Sequence, residues 1–502
     1  MSCSYDRTFA IVSPLLQSAS NSGGAGGQAS LGELRFFADF IKWLEFDLTI
    51  TFVLCLLIAV FTLKGLIRFI QLSYYARVRQ MFIRKIRYSL VNNLESLSFD
   101  AFSKMDSGRI QHTLTVEVQR LFQTMKFYFE AAQAAVMLAT YMALAFLANF
   151  QFAFLVCIGA ALSDLLYRKI YKATKRASVE FSKKGSDFNG YLLQTTLYFK
   201  YLKSTNTLAH YARRLKRVVN DAELLNRKLG NMNAITLSVK EPIIILIVST
   251  VVLLQLRFMG AAMSSIILSL LLFYRALNYL VAMQNHWQSF VENIGGMDSV
   301  ASMLNEMDGL KESKGSSPFH GIKNGICFQN VSFAYDERKV LNNINIDIPA
   351  RSTIALVGES GSGKTTFANM IAGLVYPSSG KLMIDTTSIK DLNLDNYRDH
   401  VGYISQESVI FNDTIFNNIT FWAEPSSENR KRFDEVVELA ALTEFVQTQP
   451  KQADSILGDN GILISGGQKQ RISIARELFK KTEILIFDEA TSALDSQTET
   501  II

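Results

Sequence analysis

Cysteine is scarce in this sequence, four in 502 residues. Cys3, Cys55, Cys157 and Cys327 are scattered without metal-ligand spacing, two of them inside long apolar runs. That argues against both a disulfide framework and a cysteine metal site. No secretory signal is expected at the amino terminus, because charge near Met1 is sparse and no cleavage pattern follows. Residues 1–47 hold no apolar run long enough to cross a bilayer, because 9–16 is short and contains Pro14 and 18–30 is a Gly/Ser-rich, solvated loop. A strong charge imbalance is missing too; 51 lysines and arginines stand against 45 acids, a net charge of +6.

Apolar side chains are abundant, 49% of the chain, and unevenly spread. Runs fall at 48–63 (continuing to Ile70 past Lys64 and Arg68), 131–147, 152–167, 243–256 and 261–280. A membrane helix needs roughly 20 apolar residues, and the shorter runs are extended by aromatic or amphipathic flanks. Five such runs in one chain predict membrane spans rather than buried helices of a soluble protein. Basic residues follow the first run (Arg68, Arg77, Arg79, Arg84, Lys85, Arg87) and the third (Arg168, Lys169, Lys172, Lys175, Arg176, Lys183, Lys184). Basic loops stay cytoplasmic, so both long loops are expected inside and the turns at 148–151 and 257–260 outside. The same rule accounts for the net positive charge, and no nucleic acid partner is expected. Residues 81–101 and 180–227 keep helical periodicity, as expected if the spans continue into the cytosol.

The carboxy-terminal part carries a different chemistry. Residues 358–366, GESGSGKTT, fit the phosphate-binding pattern G-x-x-x-x-G-K-[ST]. Gly358, Gly361 and Gly363 let the backbone curl so that successive N–H groups converge. A buried strand is expected at 353–357 (TIALV) and a helix over 365–374, which sets the phosphates at a helix amino terminus. Lys364 would reach the β- and γ-phosphates and Thr365 would offer a hydroxyl to Mg²⁺. Residues 484–489, ILIFDE, read as a strand ending in two carboxylates, Asp488 for the metal and Glu489 as general base. Residues 464–468, ISGGQ, open a helix expected over 468–478, a second anion-binding helix start. One nucleotide does not need two such sites from one subunit, which suggests a site shared between two chains.

With these residues in place the chain resembles an ATP-binding cassette (ABC) transporter subunit of the exporter half-transporter type, ISGGQ standing where the family signature LSGGQ stands. The resemblance implies an all-α transmembrane domain followed by an α/β P-loop ATPase cassette, with ATP and Mg²⁺ as cofactors. Gly358, Ser360, Gly361, Gly363, Lys364, Thr365 and Thr366 would surround the phosphates. Tyr335, in VSFAY, matches the aromatic that stacks on adenine, and Gln406, in YISQE, the residue that senses metal and γ-phosphate. Ser465, Gly466, Gly467 and Gln468 would close on ATP held by the other cassette. Asp495, in the SALD segment 492–495, belongs to the loop linking the two sites, and GDNG at 458–461 resembles a segment found just before the signature. Thr365, Gln406 and Asp488 are then the metal-side residues, and Glu489, Gln406 and Lys364 the catalytic ones.

The family also carries a switch histidine on a strand beyond the SALD loop, and this sequence ends at Ile502. His400 is in the wrong place to replace it. The family's membrane domain has six spans where five are visible here. Truncation at both ends is the expectation, with 8–17 (TFAIVSPLLQ) as the outer end of a missing first span. The chain as written is expected to bind nucleotide poorly or not turn it over. The expected plan is an extracytoplasmic segment 1–47, a membrane domain 48–314, a linker 315–320 and a cassette 321–502 lacking its final region.

By the same resemblance, tips of the two cytoplasmic loops dock on the cassettes. The first is expected in 107–121 (SGRIQHTLTVEVQRL) and the second within 192–203 (LLQTTLYFKYLK), facing Gln406 and 409–415 (VIFNDTI). A homodimer, in preference to pairing with a related half, would complete both sites. More loosely, TFAIVSPLLQ, LYFKYLKS and FYRALNYLVAMQNHWQ resemble the branch that flips lipid-linked oligosaccharides in the bacterial inner membrane. Arg275, deep in the last apolar run, suits a lipid pyrophosphate, with Lys64 and Arg68 as further candidates. A peptide, drug or lipid exporter of the same fold, and a non-hydrolysing regulatory half, are the alternatives.

Overall fold

The computed structural model describes residues 50–148, 150–258 and 263–489. It divides into two compact units, Met1–Tyr88 and Ser89–Ile502. Asp495 with the rest of the 492–495 segment, and the expected outer segment 1–47, lie outside the described residues.

In the first unit α1 (Ile50–Glu95) begins, and its last turns belong to the second unit. Leu54, Ile58, Phe61, Leu63, Ile67 and Phe69 are all exposed along it. So continuous an apolar surface suits lipid rather than water.

The second unit starts with two short capped helices. Ser98 caps α2 (Phe99–Lys104) through the Ala101 N–H, and Asp106 caps α3 (Ser107–His112) through the Arg109 N–H. A π-helical turn (Thr113–Glu117) then leads into α4 (Val118–Ala148). Next come α5 (Phe150–Leu197), α6 (Phe199–Ser204), α7 (Leu208–Phe258) and α8 (Met263–Gly309). α8 packs along α4, where Tyr141 stacks on Tyr279 at 5.4 Å, and α5 packs against α7 and α8. The 48 residues of α5 span about 70 Å at 1.5 Å each, more than twice the ~30 Å hydrocarbon thickness, so much of such a helix extends into water. The five apolar runs fall in α1, α4, α5, α7 and α8. Among the described residues two segments, Leu54–Glu95 and Ser107–Leu147, are long and apolar enough to count as spans by length and composition. The second expected loop tip is a real break: α5 ends at Leu197, Tyr198 interrupts, and Tyr198 and Phe199 are exposed.

The last long helix stops at Gly309, five residues before the expected end of the membrane domain at 314. The chain beyond it is held by other partners. Leu310 O accepts from Ser98 N, and Glu312 N donates to Ser96 O at 2.8 Å. The Glu312 carboxylate grips the Arg398 guanidinium in two hydrogen bonds of 2.6 and 2.7 Å.

The cassette holds two cores. In the first, β1 (Gly325–Tyr335) pairs antiparallel with β2 (Arg338–Pro349), and α9 (Lys364–Ile371) buries Phe367, Met370 and Ile371 against it. Phe328 and Phe367 stack at 4.3 Å. β3 (Ser379–Ile384) and β4 (Thr387–Ser388) extend the sheet to the order β2-β1-β3-β4. Then come α10 (Leu394–Asp399) and β5 (Val401–Ile404). The second core is helical: α11 (Ile415–Thr420), α12 (Ser427–Leu439), α13 (Thr443–Thr448) and α14 (Gly466–Phe479). β6 (Ile484–Phe487) closes the order and pairs parallel with β5.

The strand expected at 353–357 does not form. The segment joins no ladder, and Val357 is 93% exposed. Its residues have β propensity, but propensity alone forms no ladder, and among the described residues the β5–β6 pair takes no third strand.

Candidate nucleotide site

The phosphate-loop pattern folds as a glycine-built turn into a helix. Gly361 and Gly363 have φ of +83° and +96°. At Gly363 a Cβ would also lie 2.9 Å from Leu341 Cδ2, so only glycine fits both the backbone and the space. The Lys364 ammonium donates to the carbonyls of Gly358 (2.8 Å) and Glu359 (3.0 Å), which hold it over the loop. Thr365 is exposed and Thr366 buried on the first turn of α9.

Across the sheet, Asp488 and Glu489 emerge from β6. Asp488 N donates to Ile404 O of β5 at 2.9 Å. The Tyr403 hydroxyl lies 3.1 Å from Asn369 Oδ1 on α9 and 3.3 Å from Asp488 Oδ2. Burial, with the Asp488 carboxylate beside it, pushes the Tyr403 pKa up to about 12, so the phenol stays neutral and keeps its proton. Tyr403 is a residue that sequence reasoning missed; it lies three positions before Gln406 in the same segment. The Gln406 amide Nε2 donates to Glu489 Oε2 at 2.6 Å. Glu489 holds a left-handed φ of +52°, a conformation costing a non-glycine residue about 1 kcal/mol or more.

Tyr335 ends β1, half-buried, with its ring edge-on to Phe333 at 4.8 Å. Asp336, next in the turn, pairs with Lys104 of α2 at 3.3 Å.

The second helix start is a capping box. Ser465 Oγ accepts from Gln468 N at 3.3 Å, and the Gln468 side chain accepts from Ser465 N at 2.9 Å. Ser465 and Gly466 remain exposed. The helix after the phosphate-loop pattern packs in the first core and the helix opened by Ser465 in the second, so the two helix starts are seated on different cores. Another missed residue supports the 409–415 segment. Buried Arg476 donates to Asn418 O (2.6 Å), Val409 O (2.8 Å) and Asn418 Oδ1 (3.1 Å). Nothing in a helical sequence pattern marks an arginine as buried.

A P-loop magnesium site takes much of its coordination from phosphate oxygens. Among the described residues no group of three or more His, Cys, Asp and Glu gathers at one point. The donor set here, a threonine hydroxyl, a glutamine amide oxygen and one or two carboxylates, fits a metal bound together with a nucleotide.

Of the substrate candidates, Arg275 is half-buried on α8, one turn from Tyr279. Lys64 and Arg68 are exposed on α1, Lys64 lying over the Phe61 ring at 5.4 Å.

A long-helix membrane domain joined to a two-core module with a phosphate loop, a strand-end acid pair and a second capped glycine helix start is the build of an ATP-driven transport subunit. The chain belongs to the ABC transporter family: residues 20–282 match the model for the ABC transporter transmembrane region and 341–492 that for the ABC transporter. It is 26% identical over 471 residues to the ATP-dependent lipid A-core flippase of Coxiella burnetii, covering 92% of this chain and 77% of that protein. With the ATP-dependent lipid A-core flippase of Idiomarina loihiensis it shares 34% identity over 294 residues, 57% of this chain and 50% of that one. Its fold matches that of a bacterial Atm1-family ABC exporter solved with ATP bound, at a TM-score of 0.78 and 23% identity, over 98% of this chain and 85% of that chain. It is an exporter-type half-transporter, an integral membrane protein whose ATPase is coupled to transport.

Proposed function

We infer that this half-transporter, as a homodimer, uses Mg²⁺-ATP to flip a lipid-linked oligosaccharide or related polysaccharide precursor across a bacterial inner membrane. The hydrogen bond from Gln406 to Glu489 carries the engine half of the reading. It seats a carboxylate, acting as general base for water, against an amide that can turn its oxygen to a metal. The backbone N–H groups of Gly358, Ser360, Gly361 and Gly363, with Lys364 and Thr366, hold the phosphates. Thr365, Gln406 and Asp488 would hold Mg²⁺, which when bound would supply positive charge beside the phosphates. Tyr403, neutral and donating, keeps Asp488 aimed. Tyr335 offers its ring to adenine. Ser465, Gly466, Gly467 and Gln468 act on the ATP of a second copy, consistent with their seating on a core apart from the phosphate loop. Asp495 belongs to the same shared interface.

The exposed Val409 and Phe411, braced by Arg476, give the cassette an apolar face toward the loop tips at 107–121 and 192–203. The substrate half rests on the lipid A-core flippase relatives and on Arg275, a guanidinium within an apolar run, where charged residues are rare and mark pathways. A lipid phosphate suits that guanidinium, and Lys64 and Arg68 on α1 are separate candidates for a headgroup.

The test is ATPase activity in proteoliposomes. A lipid-linked oligosaccharide should stimulate it several-fold, and peptides or apolar drugs should not. Stimulation by the drugs alone would overturn the substrate reading and leave the engine standing.

A further inference from the structure

Behind the first loop tip lies a buried polar cluster made of none of the residues assigned above to ATP or substrate. The His112 ring Nε2 lies 2.9 Å from Glu117 Oε1, with side chains 7% and 1% exposed. In an α-helix residues five apart point away from each other; the π turn between them brings these two together. Asn189 of α5 donates to His112 Nδ1 at 2.7 Å, which leaves the Nε2 proton for Glu117. The other Glu117 oxygen takes Arg120 Nη1 at 3.3 Å. Arg120 reaches on to Ser182 (2.5 Å) and Ser178 (3.1 Å) of α5 and to Glu292 O (3.3 Å) of α8. Two glycines make room for it. A Cβ at Gly185 would lie 2.5 Å from His112 Nε2, and one at Gly296 would lie 2.5 Å from Arg120 Cβ and 3.0 Å from Glu117 Oε2.

The cluster joins the tip to both long helices. On its far side the tip meets the cassette through the Lys104–Asp336 pair and the chain after α8 through Ser96 and Ser98. Glu117 holds His112 and Arg120 in place within the tip's own segment, and these two carry its bonds to α5 and α8, so sliding would strip a buried imidazole and guanidinium of their partners in a dry site.

We propose that Glu117 is a positioning residue for transport: bound by His112 and Arg120, it makes the loop tip move as one body with α5 and α8, so that cassette motion reaches the membrane helices. This rests on the ATP-driven transport reading. The joint itself is read by amide hydrogen exchange in the full-length protein in nanodiscs, and its use by lipid transported per ATP. In Glu117→Gln, exchange over 107–121 should rise about tenfold or more, ATPase should stay within about twofold, and transport per ATP should fall about tenfold. Glu117→Asp should recover most of the loss. Gly185→Ala, which displaces His112 without touching Glu117, should reproduce it. Unchanged exchange in Glu117→Gln overturns the joint. Loosened exchange with ATPase and transport falling in proportion overturns the coupling role. A wild-type protein without ATP-dependent transport refutes the function reading, while the exchange result still decides the joint.

Discussion

Gln406 donates to Glu489 across 2.6 Å, linking the segment after β5 to the carboxylate after β6. The amide fixes where the carboxylate points, and a fixed base is worth more than a mobile one. Gln406→Ala should therefore lower ATPase turnover about tenfold or more while leaving nucleotide affinity within severalfold. Steady-state kinetics beside a fluorescent-nucleotide titration checks it; an unchanged turnover removes Gln406 from the catalytic arrangement.

Tyr403→Phe removes the hydroxyl between Asn369 and Asp488 and keeps the ring packed. The expected result is about 1 kcal/mol of lost stability and a higher Mg²⁺ requirement for ATPase. A Mg²⁺ titration of wild type and variant separates this from simple loosening, which would leave the half-saturating metal concentration unmoved.

Gly363→Ala meets both the φ of +96° and the 2.9 Å approach to Leu341 Cδ2. Strain of this kind costs on the order of 1–3 kcal/mol, and the turn that aims the loop N–H groups is what bears it. Nucleotide affinity should fall more than the melting temperature does, as seen by binding and thermal unfolding on the same preparation.

Asp385 gives the cassette an acid limit. Burial would raise its pKa, but N–H groups of Gly325, Lys323 and Asn324 donate to it and together hold the carboxyl below its ordinary value of 3.8. A depressed folded pKa contributes stability that is full above the unfolded value and lost as pH falls through the folded one. Melting temperature should thus drop below about pH 4 in the wild type. In Asp385→Asn that fall should be shallower; an identical acid limb in both would contradict the assignment.

Arg275→Ala tests the headgroup role. Basal ATPase should survive, and stimulation by a lipid-linked oligosaccharide should fall about tenfold. Full stimulation in the variant would leave Arg275 a packing residue.

The elements carrying the nucleotide chemistry were legible because that chemistry needs neighbouring residues: a glycine turn before a lysine helix, two acids after an apolar strand, a serine before two glycines. Each is written within about ten consecutive positions, and α9, β6 and the Ser465 cap appear close to where they were read. The long helices were legible from apolar runs and their flanks. Pairings between distant residues were not. Arg398 and Glu312 stand 86 positions apart, and nothing in either neighbourhood names the other. His112 and Glu117 are close in sequence, but their contact depends on a π turn that helical periodicity does not announce. The segment 353–357 misled in the opposite way, since local propensity is silent about whether a partner edge exists.

The central claim is that Glu489 drives ATP hydrolysis and hydrolysis drives lipid movement. The most direct measurement compares wild type and Glu489→Gln in proteoliposomes holding a labelled lipid-linked oligosaccharide, recording phosphate release and lipid transfer together. Loss of the general base should cut hydrolysis at least ~100-fold with ATP still bound, and sustained lipid transfer should stop with it. Equal hydrolysis in the two proteins, or transfer that continues without it, would contradict the account.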